Sequence, residues 1–362
     1  MDTQPVILAS ALSDHAGTTM KALVKYAPGD GNMELRDVTE PSPGRGEVKV
    51  EVKAASICGS DLHILHGDIG IPMRYPVIPG HEFAGVVAEV GAGVERVRVG
   101  DRVTGENTRS ACGVCPQCAT GSYNLCAHRL ATGYAFDGAF ARYVIVPEVR
   151  IHALPENVDF GSGSLTDPSA CAFHATQELT AIRAGDCVLI TGPGPMGLFC
   201  LQYVRANGGI VVLAGTPRDG ARLDLGRRLG AEHIVFADGV EAKVRELTGG
   251  RGVDVVLECS GAEAAARTGI RALRREGIYT QVGIFGRPIQ FDLDQVLYKE
   301  IRLLGSFSQK FLCWEKALDF CSRGVVRAAP LITHTYPLSE WRRAYEVFER
   351  AEAVKVILDV RA

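Results

Sequence analysis

The 362-residue sequence predicts an α/β protein with two domains, one rich in β-strands and one with a doubly wound parallel sheet. Three observations support this prediction. The chain is longer than a single domain of roughly 100–200 residues. Its first 150 residues hold strand patterns that Gly and Pro separate. From Cys187 onward, short Val/Ile/Leu strands alternate with amphipathic helices, which is typical of a parallel sheet covered on both faces.

The β-rich part begins with the strand pattern "MKALVKYAP" at Met20. In Glu47–Ala55, apolar and charged residues alternate, as expected for a half-buried strand. Further strands are predicted in "EFAGVVAEVG", "RVGDRVTG" and "GAFARYVIVP". Residues 1–19 show no clear periodicity, so we expect a loose extension that precedes this domain.

The doubly wound part follows the order strand, helix, strand. Its predicted strands are "CVLITG", "IVVLAG", "HIVFAD", "VDVVLECSG" and "IYTQVGIFG". Its predicted helices are "MGLFCLQYVRANG", "ARLDLGRRLG", "EAKVRELTGG" and "EAAARTGIRALRREG" (residues 263–277). The last pieces, "WRRAYEVFERAE" and "VKVILDV", are expected to return to the first domain. The expected domains are therefore residues 20–172 with 312–362, and residues 173–311.

Composition excludes several functional classes. The net charge is −3, the sequence pI is about 6.3, and no basic cluster stands out along the chain, which argues against a nucleic-acid partner. No apolar run approaches the roughly 18 residues of a membrane span. Asp2 stands where a secretory signal needs positive charge, so we expect a cytoplasmic protein.

Cysteine usage also favours metal chemistry. The chain has eleven cysteines, an odd number that cannot pair completely within one chain. Since the cytosol keeps thiols reduced, clustered cysteines there are more typical of metal-binding or catalytic sites than of disulfides.

The stretch "VLITGPGPMG" carries a dinucleotide-binding pattern. Gly192, Gly194 and Gly197 fit G-x-G-x-x-G, with Pro195 and Met196 inside the motif. The three glycines would allow a tight turn, the approach of backbone to a pyrophosphate, and close helix–strand packing. The strand before the motif and the helix after it favour this interpretation over a chance match.

The next strand bears on the choice of coenzyme. NAD-binding proteins usually place a carboxylate at its end, whereas this chain has Gly215, followed by Thr216 and Arg218. An arginine beside a missing carboxylate favours a 2′-phosphate, and therefore NADP over NAD. The alternative is that Arg218 is a solvated loop residue and that Asp219 binds the ribose.

The β-rich part holds two groups of metal-type ligands. The first comes from three separate segments: "SICGSDLH" with Cys58, Ser60, Asp61 and His63, "PGHEFAG" with His81 and Glu82, and "SLTDPSACAFHA" with Asp167, Cys171 and His174. A thiolate, an imidazole and a carboxylate suit a catalytic zinc with one open position, although each alone has a structural interpretation. The second group is Cys112, Cys115, Cys118 and Cys126. Four thiolates form a closed shell, so they predict a structural zinc; a redox pair or an iron–sulfur site is the alternative.

The order of these motifs carries a family resemblance. "GHExxGxV", "GDRV", C-x-x-C-x-x-C-x7-C and G-x-G-x-x-G together resemble the zinc-containing alcohol dehydrogenases of the medium-chain dehydrogenase/reductase superfamily, from Met20 to the C-terminus. The similarity is greatest to the branch with sorbitol (L-iditol) dehydrogenase and L-threonine 3-dehydrogenase. The resemblance implies a GroES-like β-rich catalytic domain and a Rossmann coenzyme domain.

The resemblance also implies residue roles. Cys58 and His81 become ligands of the catalytic zinc, Glu82 a ligand or close neighbour, and Asp167 the third or exchanging ligand. Polyol dehydrogenases usually have Glu at that position, so Cys171 and His174 stay as alternatives. Asp61 is implied to orient the histidine ligand. Ser60 would take the hydroxyl proton and pass it to His63 and solvent.

The expected reaction is oxidation of a secondary alcohol to a ketone, and the reverse, by hydride transfer between a zinc-bound alkoxide and NAD(P). A polyol or sugar alcohol is the first expectation and L-threonine the alternative. A non-catalytic zinc- and dinucleotide-binding protein is the rival of a different class. The resemblance further implies two zinc ions per chain and a homotetramer or homodimer, with edge strands such as "IRLLGSF" paired between subunits.

Overall fold

The computed structural model describes residues 18–361, which form two compact units. Unit 1 runs up to Asp167 and resumes at Ile332; unit 2 is Pro168–Leu331. The expected extension, residues 1–19, lies outside the described residues except for its last two, of which Thr19 opens the first strand.

The first part of unit 1 is dominated by short strands. They are β1 (Thr19–Lys25), β2 (Met33–Thr39), β3 (Glu47–Ser56), β4 (Glu82–Val90), β5 (Arg102–Gly105), β6 (Thr108–Ser110), β7 (Leu130–Ala131), β8 (Tyr143–Pro147) and β9 (Ile151–Ala153). The helices are α1 (Gly59–His66), α2 (Pro116–Ala119), α3 (Phe160–Ser164) and α4 (Thr166–Phe173), the last of which reaches into unit 2. The alternation predicted for Glu47–Ala55 is confirmed, since Val48, Val50 and Val52 are fully buried on one face of β3.

Unit 2 contains one parallel sheet with helices between its strands. A π-helical turn (His174–Leu179) precedes β10 (Cys187–Thr191), β11 (Ile210–Gly215), β12 (His233–Phe236), β13 (Val253–Glu258), β14 (Leu273–Gln281) and β15 (Arg302–Gly305). The helices are α5 (Pro195–Ala206), α6 (Gly220–Arg228), α7 (Val240–Thr248), α8 (Glu263–Ala272), α9 (Leu293–Lys299) and α10 (Phe311–Ser322). The strand order is β12-β11-β10-β13-β14-β15, so β10 lies centrally and β15 at an edge. This is a doubly wound sheet.

The chain then returns to unit 1 with β16 (Ile332–Pro337), α11 (Trp341–Glu349) and β17 (Lys355–Asp359). β17 pairs with β16 on one side and with β3 on the other, which completes a seven-stranded sheet of order β16-β17-β3-β4-β5-β9, with β8 also paired to β3. The segment "VKVILDV" thus includes β17 and lies in unit 1.

The limits of the units differ from the expected domain limits at 172/173 and 311/312. Helix α10 lies in unit 2 because Phe320 packs on Phe173 and Tyr203, with ring centroids 6.1 and 5.5 Å apart. Among residues 18–361, no helix is both long and apolar enough to cross a bilayer.

Candidate functional site

Cys58, His81 and Glu82 meet at one end of the β3–β4 strand pair. Cys58 precedes α1, and His81 and Glu82 lie at the start of β4. The antiparallel register places Ser56 of β3 opposite Glu82, and this brings the two segments together. One ligand atom from each of Cys58, His81 and Glu82 lies within 4.8 Å of the other two. A thiolate, an imidazole and a carboxylate at this spacing fit a zinc ion.

Asp61 lies next to the His81 ring. Its carboxylate accepts a hydrogen bond of 2.9 Å from the backbone N–H of Cys58, and its Oδ1 is 3.8 Å from His81 Nδ1. Both of these buried atoms have no hydrogen-bond partner among the described residues. Burial lowers the pKa of His81, but Asp61 and Cys58 outweigh this effect and raise the pKa to about 10. The surroundings of His81 therefore favour positive charge, which is what a metal site requires.

Glu82 is held by a buried lysine that the sequence analysis did not single out. Lys355 Nζ, on β17, lies 2.7 and 2.5 Å from the two oxygens of Glu82 and donates to the carbonyl of Ile57 at 3.0 Å. Ser56 donates to Glu82 Oε2. Both Lys355 and Glu82 are almost completely buried. The carboxylate thus already has strong donors before any metal ligation.

Asp167 is buried but does not belong to the set of ligand atoms within 4.8 Å that Cys58, His81 and Glu82 form in the described chain. Burial raises the pKa of Asp167 to about 6, with Glu82 adding to the rise and His81 opposing it. The alternative His174 lies in unit 2, where its Nδ1 is 2.6 Å from Glu178. Lys310 contacts the same carboxylate at 2.9 Å, and an ion pair therefore accounts for that cluster.

The two members of the expected proton relay have separate partners. Tyr134 donates to Ser60 Oγ at 2.8 Å, and its ring lies 5.3 Å from that of His81. His63 Nδ1 is 3.0 Å from Asp68 Oδ1. No hydrogen bond joins Ser60 to His63 within residues 18–361, so that step of the relay stays a prediction. Tyr134 was missed because only the fold brings it to Ser60, 74 residues away.

The four clustered cysteines surround a common point. Their sulfurs all lie within 4.8 Å of one another, and Cys112 Sγ is 3.9 Å from Cys118 Sγ. The backbone N–H groups of Val114 and Cys115 lower the pKa of Cys112 to about 6, whereas burial and the neighbouring thiols raise that of Cys118 to about 12. One sulfur is thus readily ionised, and the set matches the closed tetrahedral shell of a structural zinc.

The glycine-rich turn between β10 and α5 meets the steric demands of the dinucleotide motif. Gly192 has φ +90°, and a Cβ there would lie 2.8 Å from Ser260. A Cβ on Gly197 would lie 2.0 Å from the carbonyl of Gly192. At Gly194, a Cβ would meet no atom of residues 18–361 within 4 Å, which leaves room for a ligand at the N-terminus of α5, where Pro195, Met196 and Gly197 form the first turn.

Beyond β11, Gly215 is buried and the loop that follows is exposed. Asp219 Oδ2 accepts hydrogen bonds from the backbone and hydroxyl of Thr216 at 2.8 and 2.7 Å. Arg222, a half-buried residue that the sequence analysis missed, lies 3.8 Å from Asp219. Arg218 is exposed, with no ion pair to any described residue. Asp219 therefore already accepts hydrogen bonds from Thr216, whereas Arg218 has no ion pair with a described residue.

A doubly wound unit with a glycine-rich turn, together with a β-rich unit that carries two zinc-type clusters, defines a zinc-binding dehydrogenase. The family model for the alcohol dehydrogenase GroES-like domain matches residues 44–156, and that for zinc-binding dehydrogenases matches residues 195–323. The chain belongs to the zinc-binding alcohol dehydrogenase family. The predicted resemblance and the predicted fold, a GroES-like and a Rossmann-type part, are confirmed.

Similar proteins include several polyol enzymes. The chain is 46% identical to a sorbitol dehydrogenase of Halalkalibacterium halodurans over 342 residues, which cover 94% of this chain and 99% of the relative. It is 37% identical to a D-arabitol-phosphate dehydrogenase of Enterococcus avium, with 94% and 97% covered. An L-threonine 3-dehydrogenase of Bacillus velezensis is 34% identical, with 94% and 99% covered. A zinc-binding dehydrogenase from Sinorhizobium meliloti, solved with NADP bound, has a TM-score of 0.85 at 33% identity, with 94% and 99% covered.

Proposed function

We propose that this dehydrogenase oxidises a secondary alcohol of a polyol to a ketone, and catalyses the reverse reaction, with NADP as its preferred coenzyme. The observation that carries the proposal is the convergence of Cys58 and His81, with the carboxylate of Glu82 beside them, in a family whose relatives of 46% and 37% identity are named for sorbitol and D-arabitol phosphate. When bound, zinc supplies Lewis acidity, which lowers the pKa of an alcohol oxygen by several units.

Within the proposed catalytic zinc site, Cys58 and His81 are the ligands, and Asp61, whose Oδ1 lies 3.8 Å from His81 Nδ1, would orient the histidine ring once zinc is bound. We assign the third protein ligand to Asp167 rather than Glu82. The reason is that Lys355 and Ser56 already bind the oxygens of Glu82, so ligation by Glu82 would compete with a buried ion pair. Glu82 would then hold negative charge close behind the metal. The second zinc would occupy the four-cysteine cluster.

The assignment of the third ligand is testable by metal analysis. Asp167→Asn should reduce zinc to about one ion per chain, while Glu82→Gln should lower activity with less effect on zinc content. A larger zinc loss from Glu82→Gln than from Asp167→Asn would reverse the assignment.

Ser60 is the proposed acceptor of the hydroxyl proton. Since Tyr134 donates to Ser60 Oγ, the serine hydroxyl is held in one orientation and keeps a lone pair for the substrate. His63 would release the proton to solvent, because its side chain is 37% exposed and lies next to Asp68.

Arg218 and Thr216 are the proposed binding residues for the 2′-phosphate of NADP, and the G-x-G-x-x-G turn would bind the pyrophosphate. This choice is supported by the buried Gly215 where a carboxylate would serve NAD, and by the engagement of Asp219 with Thr216.

An absorbance assay of the reduced nicotinamide tests the reaction. The panel contains sorbitol, xylitol, simple secondary alcohols and L-threonine, each with NADP and with NAD, and zinc is measured in the same samples. Turnover of polyols above that of the other alcohols supports the proposal. Greatest turnover of L-threonine would make the protein a threonine dehydrogenase, and no turnover by protein with two zincs per chain would favour the non-catalytic alternative.

Assembly and location complete the proposal. The edge strand β15 and its surroundings expose apolar side chains, and among them Leu303 is 45% and Leu297 69% exposed. We propose that this edge pairs with a second copy in a homodimer or homotetramer. No disulfide joins any of the eleven cysteines, all of which lie within residues 18–361, and we place the enzyme in the cytoplasm.

A further inference from the structure

Unit 2 has a cavity of about 280 Å³ whose wall is strongly basic. Six of its twelve lining residues are cationic, whereas Glu241 is the single carboxylate among them. The cationic residues are Arg245, Arg251, Arg271, Arg274, Arg275 and Lys299. They come from the end of α7, the loop after it, the junction of α8 with β14, and the end of α9. The chain as a whole has a net charge of −3, so this positive charge is a local feature.

The cavity lies at the amino ends of strands β13 and β14, which begin at Val253 and Leu273. The glycine-rich turn at Gly192 follows the carboxyl end of β10 in the same parallel sheet. The cavity lies at the amino ends of the strands and the turn at their carboxyl ends. Coenzyme bound at the turn therefore does not account for the basic cluster.

Half of the cations form no ion pair with a carboxylate in the part of the chain that the structure describes. Arg251 and Arg274 share Asp254, at 2.6 and 2.7 Å, and Arg271 pairs with Glu241 at 2.7 Å. Within residues 18–361, no ion pair neutralises Arg245, Arg275 or Lys299. Asp254 and Glu241 offset two of the six positive charges, and the carbonyl ends of α7, α8 and α9 carry a partial charge of about −0.5 each, so the cluster keeps a net charge of roughly +2.5.

The protein's own hydrogen bonds hold part of this cluster in place. Arg275 Nη1 donates to the carbonyl of Tyr298 at 2.7 Å, and Arg274 Nη1 donates to that of Arg275 at 2.7 Å. Lys299 donates to the carbonyls of Ile270, Arg271 and Leu273 at 2.9–3.1 Å. Burial lowers the pKa of Lys299, and the charges of Arg275 and Arg271 lower it further. The cations therefore repel one another in fixed positions, and a bound anion would relieve that repulsion.

We propose that this cavity binds a small anion with two or more phosphate groups, such as pyrophosphate or the phosphate chain of a nucleotide. Guanidinium groups bind phosphate oxygens in pairs, and the exposed donors of Arg245 and Arg275 are available for such contacts. Pockets for drug-sized ligands measure roughly 300–1,000 Å³, so a cavity of about 280 Å³ matches a compact polyanion. The proposal does not depend on the substrate of the dehydrogenase.

The test is calorimetric titration of sodium pyrophosphate into the zinc-loaded enzyme at constant ionic strength. Saturating NADP is present, so that the coenzyme site is already filled. We expect one pyrophosphate per chain, bound at least tenfold more tightly than inorganic phosphate. Absence of binding, or equal affinity for the two anions, would overturn the proposal.

A matched pair of variants assigns the binding to the cavity. Arg245→Gln with Arg275→Gln removes two exposed cations of the cluster, and Arg267→Gln with Arg323→Gln removes two exposed arginines outside it. The first pair should weaken the binding of pyrophosphate at least tenfold, and the second pair less than twofold. Basal turnover should be unchanged in both double variants. Equal weakening by the two pairs would place the anion elsewhere. Binding of a 20-nucleotide single-stranded DNA without binding of pyrophosphate would make this a macromolecular surface and would also refute the proposal.

Discussion

At the scale of single residues, Tyr134 is the side chain whose role depends on one contact. Its hydroxyl donates to Ser60 Oγ at 2.8 Å. Such a hydrogen bond contributes about 0.5–1.5 kcal/mol, so Tyr134→Phe should lower kcat up to roughly tenfold. Zinc content should not change. Steady-state kinetics over pH 6–10 would measure the effect.

Tyr345 provides the control for this substitution. Its hydroxyl is buried near Asp61 and Cys58 but has no hydrogen-bond partner in the described part of the chain, so Tyr345→Phe removes a hydroxyl without breaking a hydrogen bond. Equal losses of kcat in the two variants would mean that Tyr134 does not position Ser60.

Arg218 determines the coenzyme prediction. A charge-assisted hydrogen bond to phosphate is worth about 1.5–3 kcal/mol, so Arg218→Ala should raise KM for NADP roughly tenfold to a hundredfold and change that for NAD little. Arg227→Ala, which removes an exposed arginine of α6 paired with Asp224, is the comparison. An equal rise for both coenzymes would contradict phosphate recognition by Arg218.

Asp254 gives a pH-dependent contribution to stability. Burial raises its pKa, but hydrogen bonds from Arg251, Arg274 and the backbone of Cys187 outweigh this and lower it to about 2. The unfolded value is about 3.9, so the carboxylate stabilises the folded state above pH ~4, and this contribution is lost as the pH falls towards 2.

Asp254→Asn should therefore unfold at lower urea concentration than the wild type at pH 7, and this difference should shrink between pH 5 and 2.5. Asp319→Asn, at an exposed ion pair, should have little effect at either pH. If the difference in unfolding between Asp254→Asn and the wild type did not vary with pH, the ionisation of Asp254 would not contribute to stability.

At the scale of elements, the four-cysteine loop between β6 and β7 buries little apolar surface of its own. Of its four cysteines, Cys126 alone is buried, and Val114 is 87% exposed. Metal binding, worth about 10 kcal/mol or more, is thus the main force that would order this segment.

Cys112→Ser should leave one zinc per chain and lower the melting temperature, whereas Cys58→Ser should also leave one zinc but abolish turnover with little thermal effect. Metal analysis and calorimetry distinguish the two variants. If Cys58→Ser destabilised the chain as much as Cys112→Ser, the division into catalytic and structural zinc would be wrong.

The end of α8 shows where local patterns fail. The sequence predicts a helix over residues 263–277, but α8 ends at Ala272 and β14 starts at Leu273. Pairing with β13 and the contacts of Arg274 with Asp254 hold this segment as a strand, and Glu276 adopts φ +56°. Tertiary contacts override helix propensity here, and no single-sequence pattern records them.

At the scale of the whole molecule, the exposed edge of the parallel sheet predicts association. Leu303→Glu places a charge on β15 and should shift a homo-oligomer towards monomers in light scattering coupled to size-exclusion chromatography. Phe236→Glu, at the opposite edge of the same sheet, is the control because that side chain is also exposed, at 49%. Dissociation by the control alone would locate the interface at β12.

Some features of the molecule could be predicted from the sequence, and others depend on the three-dimensional structure. The glycine motif, the four cysteines and the alternating strands follow from local spacing, so the fold and the metal clusters were predictable. Lys355, Tyr134 and the basic cavity were not, because each depends on residues that the fold brings together from distant segments. Arg271, Arg274 and Arg275 are neighbours in the sequence, but the other three basic residues of the cavity are spread over positions 245–299, so the full cluster is visible only in the fold.

The buried pair of Glu82 and Lys355 joins positions 273 apart in the chain. During biosynthesis, the ribosome completes all of unit 2 before Lys355 emerges, whereas Glu82 has long been translated. A nascent chain can therefore fold its coenzyme unit while the carboxylate beside the proposed catalytic metal still lacks its counter-ion. The carboxylate beside the proposed catalytic metal thus gains its counter-ion only after all of unit 2 has been synthesised.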